Sequence, residues 1–255
     1  MKLLRWLLLI LIALLVVGAI AIWTFPAELA YRWNSDKFGP IQLSGVSGTV
    51  WSGRAEQVTA FGQALGALDW QLAKRPLLER RVVVAVHLGS DAIDARGELA
   101  REPDARIIAR NVEFSLPAAL AEPALDIPLL HLLGEVRGTL VEATVNGGWV
   151  ARAHGAARWT GAGVAGRAEA RFGDLVIEFA SQPDASILGT VKDDGSGSLA
   201  VDGRFVVSTG QFDAEARLSA RHDDLQVREA LQYVGQPQPD GSSLLKIHGQ
   251  LFKLF

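Results

Sequence analysis

From Gln211 to Ala220 the chain reads Gln-Phe-Asp-Ala-Glu-Ala-Arg-Leu-Ser-Ala, apolar at every even position and polar at every odd one. A strand turns successive side chains to opposite faces, so this stretch has one dry face and one wet face, a period that a helix cannot follow. The same alternation runs through Ala92–Leu99 and Ala168–Phe172, and Val82–Leu88 is a denser apolar run that reads as a more buried strand. Arg106–Phe114, Gly138–Val145, Val150–Trp159, Leu175–Ala180, Ser186–Val191 and Ser198–Val207 are further strand candidates. Turn signals separate them at short intervals: Asn146-Gly147-Gly148, Gly161 to Gly166, Gly173-Asp174 and Asp193 to Gly197. Connections this short join antiparallel neighbours, because a parallel crossover takes a dozen residues or more. The expected fold is therefore all-β, a curved antiparallel sheet or sheets, strongly twisted or curled to limit open edges. Helical signals are few: Asp223 or Asp224 caps a segment from Leu225 to Val234 that stops at Gly235, and a short turn covers Leu116–Ala121.

A different pattern precedes the strands. Leu7 to Trp23 is unbroken by any charged or strongly polar side chain, with Lys2 and Arg5 before it and Pro26 after it. As a helix, Leu3–Phe25 measures roughly 34 Å against a hydrocarbon core of about 30 Å, enough to cross with modest tilt. Ala19-Ile20-Ala21 has the small-residue spacing of a cleavage site, but the run exceeds the usual h-region of roughly 7–15 residues. The reading is one N-terminal transmembrane helix with its start in the cytoplasm and the rest exported. Residues 1–25 are then the cytoplasmic start and anchor, 26–40 a juxtamembrane connector, and 41–255 a β-rich domain. Val46-x-Gly48-Thr49 recurs as Val136-x-Gly138-Thr139, and Trp70 and Trp159 follow at similar distances, which marks out two similar halves, 41–130 and 131–255. Trp23, Phe25, Tyr31 and Trp33 cluster just after the span, at headgroup level or in the first exported turn.

Composition and motifs exclude more chemistry than they offer. Twenty-five Lys+Arg against 28 Asp+Glu leave no field to recruit nucleic acid, and the absence of cysteine removes disulfides and thiol chemistry. The histidines 87, 131, 154, 222 and 248 are scattered without zinc spacing, so no metal site is expected. Gly161-x-Gly163-x-x-Gly166 matches a dinucleotide-binding pattern, yet Arg167–Phe172 alternates as a strand where that mechanism needs a helix; a hairpin loop is the better reading. Asp91/Asp94, Asp193/Asp194 and Asp223/Asp224 sit in turn or capping contexts. No catalytic set emerges, and the chain is read as a binding and assembly protein without a cofactor, not an enzyme.

Val46-Ser47-Gly48-Thr49-Val50-Trp51-Ser52-Gly53-Arg54-Ala55 stands apart because it concentrates glycines around one indole. Two readings stay open. One is a bent or bulged strand with Trp51 in the core; the other is an interaction patch formed by Gly48, Val50, Trp51, Gly53 and Arg54.

Gly-Thr-Val-Trp-Ser-Gly-Arg-Ala shortly after a single N-terminal span resembles the general secretion pathway (type II secretion system) protein N family. The same order of landmarks continues with Pro26-Ala27, Trp70 followed by Pro76-Leu77-Leu78, Gly97-Glu98-Leu99, Leu116-Pro117-Ala118, Asp240-Gly241 and Gly249-Gln250-Leu251. The resemblance implies a single-pass inner-membrane protein with a periplasmic domain, an accessory component of the secretion machine. Its implied partners are the inner-membrane platform proteins and the outer-membrane secretin, with no cofactor. A second reading, an anchored periplasmic β protein that binds or conducts lipid, suits the same anchor and strands. A continuous exposed apolar groove separates the two, because a lipid conduit requires one.

Overall fold

The computed structural model describes residues 23–60, 62–122, 131–166, 170–208, 210–221, 224–232 and 234–250. Their strands are β1 (Ile41–Ser44), β2 (Ser47–Gly48), β3 (Ser52–Ala60), β4 (Gln63–Ala73), β5 (Val82–Gly89), β6 (Asp94–Arg101), β7 (Ile107–Pro117) and β8 (His131–Asn146). There follow β9 (Trp149–Ala165), β10 (Ala170–Ser181), β11 (Ile187–Asp193), β12 (Leu199–Ser208), β13 (Gln211–Ala220), β14 (Gln236–Pro237) and β15 (Ser243–Gln250). Together they make one antiparallel sheet in which neighbours in sequence are almost everywhere neighbours in space, with β2 beside β3 at one end and β14 beside β15 at the other. β7 and β8 pair along Ile107–Pro117, so the stretches on either side of residue 130 continue one another in a single layer.

Cross-strand register sorts the side chains. On the dry face Gly53, Trp70, Val86 and Gly97 stand in line across β3 to β6. Beyond β7 the same line continues through Gly138, Ala157, Ile177, Val191, Gly203, Ala216 and Leu245. One residue along each strand, the wet face reads Arg54, Asp69, His87, Arg96, Glu113, Thr139, Ala156, Glu178, Thr190, Arg204, Glu215 and Lys246. A slip of one residue would exchange the faces, so the two rows specify the register mutually. Opposite charges meet directly on the wet face, as in Arg54–Asp69 at 3.2 Å and Arg110–Glu142 at 3.2 Å. Signs alternate along this row, so it carries no field of one sign.

Helix α1 (Ala27–Asn34) and α2 (Leu225–Leu231) flank the sheet. α2 lays Val227 and Leu231 on the dry face over Leu175, Leu199, Val201 and Leu218, the largest buried cluster. A smaller cluster of Ala143, Ala153 and Ile187 lies towards the opposite ends of the strands. Between them most of the dry row is half-buried, with no second layer among the described residues.

Several expectations change. The connector 26–40 holds α1, which Pro26 starts without any side-chain cap; its Glu28 lies in the first turn and its Arg32 in the last, where each complements the helix dipole. Gly161–Gly166 is not a hairpin loop, because Gly161–Ala165 completes β9. Register shifts between Leu133 and Glu135 where β8 faces β9, and Gly134 and Gly161 both have positive φ, so this glycine-rich stretch makes a bulge. β7 runs through Leu116 to Pro117, leaving only Ala118–Ala121 for the expected turn, and α2 stops three residues short of Val234. Asp224 accepts the Val227 amide, the capping role expected at that position, while Asp223 and His222 lie outside the described residues. The apolar run before Trp23 also lies outside them, and no described helix is long and apolar enough to cross a membrane.

Candidate functional site at the Trp51 turn

The segment around Trp51 is a tight hairpin. Ser47 and Gly48 of β2 pair with Arg54 and Gly53 of β3, and the Thr49 amide donates to the Ser52 carbonyl at 2.9 Å. Gly48 sits at φ +82°, where a Cβ would also press on the Ser52 carbonyl, so only glycine closes this turn without strain. The loop ties three parts of the chain together. The Val50 amide donates to the Phe25 carbonyl at 3.1 Å, the Leu72 amide donates to the Trp51 carbonyl at 2.8 Å, and Pro26 bridges to Thr49.

The five expected patch residues do not share a face. Gly48, Val50, Trp51 and Gly53 belong to the hairpin and the dry side, whereas Arg54 points to the wet side and pairs with Asp69. Gly53 is covered by Trp70, its direct cross-strand partner, and the Trp70 Nε1–H donates to the Val50 carbonyl at 3.3 Å. Trp70 thus floors the sheet here, while Trp51 is half-buried at the rim. There Lys74 approaches two indoles, with its ammonium 5.2 Å from the Trp51 ring and 3.1 Å from the Trp23 ring. Sequence spacing did not signal that Trp23 and Lys74 join this site, since 51 residues and a complete hairpin separate them. The aromatics clustered after the apolar run divide likewise: Trp33 is exposed and tilts against Phe25 at 5.8 Å, while the Tyr31 hydroxyl accepts the Leu43 amide.

The other candidate groups are structural. His87 pairs with Asp94 at 2.9 Å and His248 meets Asp213, both at exposed pairs, and the exposed His131 meets the half-buried Glu122 at 3.5 Å. No group of three metal-ligating side chains occurs among the described residues. Burial pushes the Asp193 carboxyl up, but the Val201 and Gly195 amides and the Arg221 guanidinium outweigh it and hold the carboxyl below its usual range. The Ser196 hydroxyl and amide, with Arg158, hold Asp194 low as well. Both carboxylates serve as acceptors that close the turn between β11 and β12.

Among the described residues the sheet's two ends are open. β14 covers β15 only at Ser243 and Leu244, so the outer side of Leu245–Gly249 faces no described strand, and β1 is only four residues long at the other end.

A family model for type II secretion system (T2SS), protein N, matches residues 39–245. The chain belongs to the type II secretion system protein N family. The match spans the sheet from just before β1 into β15, including the Trp51 turn. A relative from Vibrio cholerae, named type II secretion system protein N, is 26% identical over 83% of this chain and 85% of its own length. Another of that name, from Aeromonas hydrophila, is 24% identical over 89% of this chain and 91% of its own. No solved structure matches the chain. Membership makes this chain a component of the type II secretion machinery and accords with the resemblance read from Gly48–Ala55.

Proposed function

We propose that the protein is an accessory inner-membrane component of the secretion system, anchored by its N-terminal apolar run with the sheet in the periplasm. It acts by association and carries out no reaction. Family membership supports the setting, and the Trp51 turn carries the reading: a half-buried indole where the chain leaves the anchor, built by contacts from β3, β4 and the residues before α1. With the open side of β15, it offers an aromatic anchor and unpaired backbone groups for strand addition by the platform proteins or the secretin. The test is in-cell photocrosslinking from position 51 and from His248 on β15 in the assembled system. Crosslinks to secretion components support the reading; a chain that secretes normally yet crosslinks to none of them overturns it.

One observation favours the second reading, in which the face takes lipid. The dry row crosses twelve strands, about 50 Å at roughly 4.8 Å per strand, and α2 covers only one margin of it. An apolar face of that length, bare among the described residues, needs an occupant. Acyl chains satisfy a surface with no polar partner to offer. Mass spectrometry of lipid copurified with the extracted protein tests this; a lipid-free preparation that retains its fold and its crosslinks removes it.

A further inference from the structure

The β4–β5 connection is built unlike the other described turns. Gln182–Ser186 and Asp193–Ser198 consist mostly of Asp, Ser, Gly and Pro. By contrast, Lys74-Arg75-Pro76-Leu77-Leu78-Glu79-Arg80-Arg81 carries two leucines at its tip, with four cations around them and a single carboxylate. Leu78 is 90% exposed, the most exposed of the described large apolar side chains. Its turn is rigid: Pro76 enters a 3-10 turn (Arg75–Glu79), and the amides of Arg80 and Arg81 donate back to Leu77 and Pro76. Arg80 closes it in the left-handed conformation at φ +59°. A rigid turn that holds Leu78 in water has no folding reason to do so.

Three observations place the turn at a bilayer. Lys74 stacks on Trp23, the first described residue and the last of the apolar run, so the turn and the end of that run share one corner of the molecule. Trp23 and Trp33 are 64% and 71% exposed, which fits the headgroup zone that amphipathic rings prefer. Arg75 and Arg80 are exposed and make no described ion pair, whereas Arg81 is held by Glu79 and Glu102. Free guanidiniums flanking an apolar tip suit phosphate oxygens above hydrocarbon.

We infer that the β4–β5 turn is a second membrane contact, inserting Leu77 and Leu78 into the outer layer of an anionic bilayer while Arg75 and Arg80 bind lipid phosphates. The contact pins the sheet at two points beside the Trp51 turn, whatever fills the dry face. It shares with the proposed function only the premise that the chain is membrane-bound.

The chain has no cysteine, so Leu78→Cys carries a single environment-sensitive NBD fluorophore. Asp91→Cys is its control, just beyond the far end of β5, a strand about 27 Å long at 3.4 Å per residue. The full chain is reconstituted into vesicles of phosphatidylcholine, with and without phosphatidylglycerol, containing lipids spin-labelled on the upper acyl chain. The Leu78 probe should shift to the blue and lose intensity to the spin label, more strongly with phosphatidylglycerol, while the Asp91 probe does neither. Arg75→Gln with Arg80→Gln should abolish the gain from phosphatidylglycerol. A Leu78 probe as wet as the Asp91 probe, in a chain that floats with the vesicles, overturns the inference and leaves the anchor standing. Shielding that appears only after other secretion proteins are added overturns it in favour of a protein contact. A chain that does not float overturns both.

Discussion

The phenyl ring of Phe205 lies across Gly189, its direct partner on the neighbouring strand, close enough that a Cβ at 189 would meet three ring carbons inside contact distance. The pairing recurs on the dry face: Trp70 on Gly53, Phe114 on Gly138, Phe179 on Gly155 and Phe212 on Gly249. A ring laid over a glycine shields that strand's backbone and fills the gap left by the missing side chain. It also keeps the ring from standing up into a second layer, so the dry face stays shallow. Gly189→Val should therefore lift the ring and destabilise the fold by about 1–3 kcal/mol, read from the midpoint of denaturant unfolding. Phe205→Leu in the same chain should recover part of that loss, a coupling that residues out of contact do not show.

Arg221 and Asp193 join the start of the α2 segment to the β11–β12 turn. Only 9% of the Asp193 side chain is exposed, and it accepts from the Val201 amide at 2.7 Å and the Gly195 amide at 2.9 Å as well as pairing with Arg221. Its folded-state pKa is depressed, so its contribution is present above the ordinary carboxylate range and is lost as pH falls through the folded value. Asp193→Asn should lower stability at neutral pH by about 1–3 kcal/mol and flatten the acid limb of stability against pH. An unchanged acid limb would show that another carboxylate controls it.

Trp51 and Trp70 separate core from contact. Trp70→Ala removes the ring over Gly53 and the donor to the Val50 carbonyl, and should cost about 3–5 kcal/mol. Trp51→Ala leaves that floor in place and removes a half-buried ring beside Lys74, so it should melt closer to the parent while weakening crosslinks to secretion components. If Trp51→Ala both melts and crosslinks normally, the indole is neither core nor contact. Thermal melting beside in-cell crosslinking provides both readings.

The parts of the fold that depend on one strand's own pattern were legible in the sequence. Gln211–Ala220 is β13 to the residue, and Val82–Leu88 lies within β5, because alternation and apolar density are local properties. What depends on a partner strand was not. Gly161 and Gly163 spell a turn in one dimension, yet β8 pairs with Gly163 in register and pulls only Gly161 into a bulge, and the glycine–aromatic pairs exist only once register is set. α1 escaped because Ala27–Asn34 is short and has no side-chain cap. Within the candidate site, Gly48 and Trp51 announced themselves by composition, while Lys74 and Trp23 are brought together only by the β3–β4 pairing and the Phe25–Val50 hydrogen bond.

Val86 and Leu175 lie on the same dry face under opposite circumstances, and that contrast tests whether the face is a working surface. Leu175 is 5% exposed beneath α2, so Leu175→Asp strands a charge with no partner and should cost about 3–5 kcal/mol or unfold the chain. Val86 is half-buried, paired with Trp70 and Gly97, and no described helix covers it; a Glu there can turn its carboxylate to water and should cost about 1 kcal/mol. If the face receives acyl chains or a partner's apolar surface, Val86→Glu should abolish secretion in a complemented deletion strain while its melting temperature stays near the parent's. Normal secretion by a folded Val86→Glu protein would retire this part of the dry face as a functional surface. If Val86→Glu unfolds as readily as Leu175→Asp, the face is already covered within the chain.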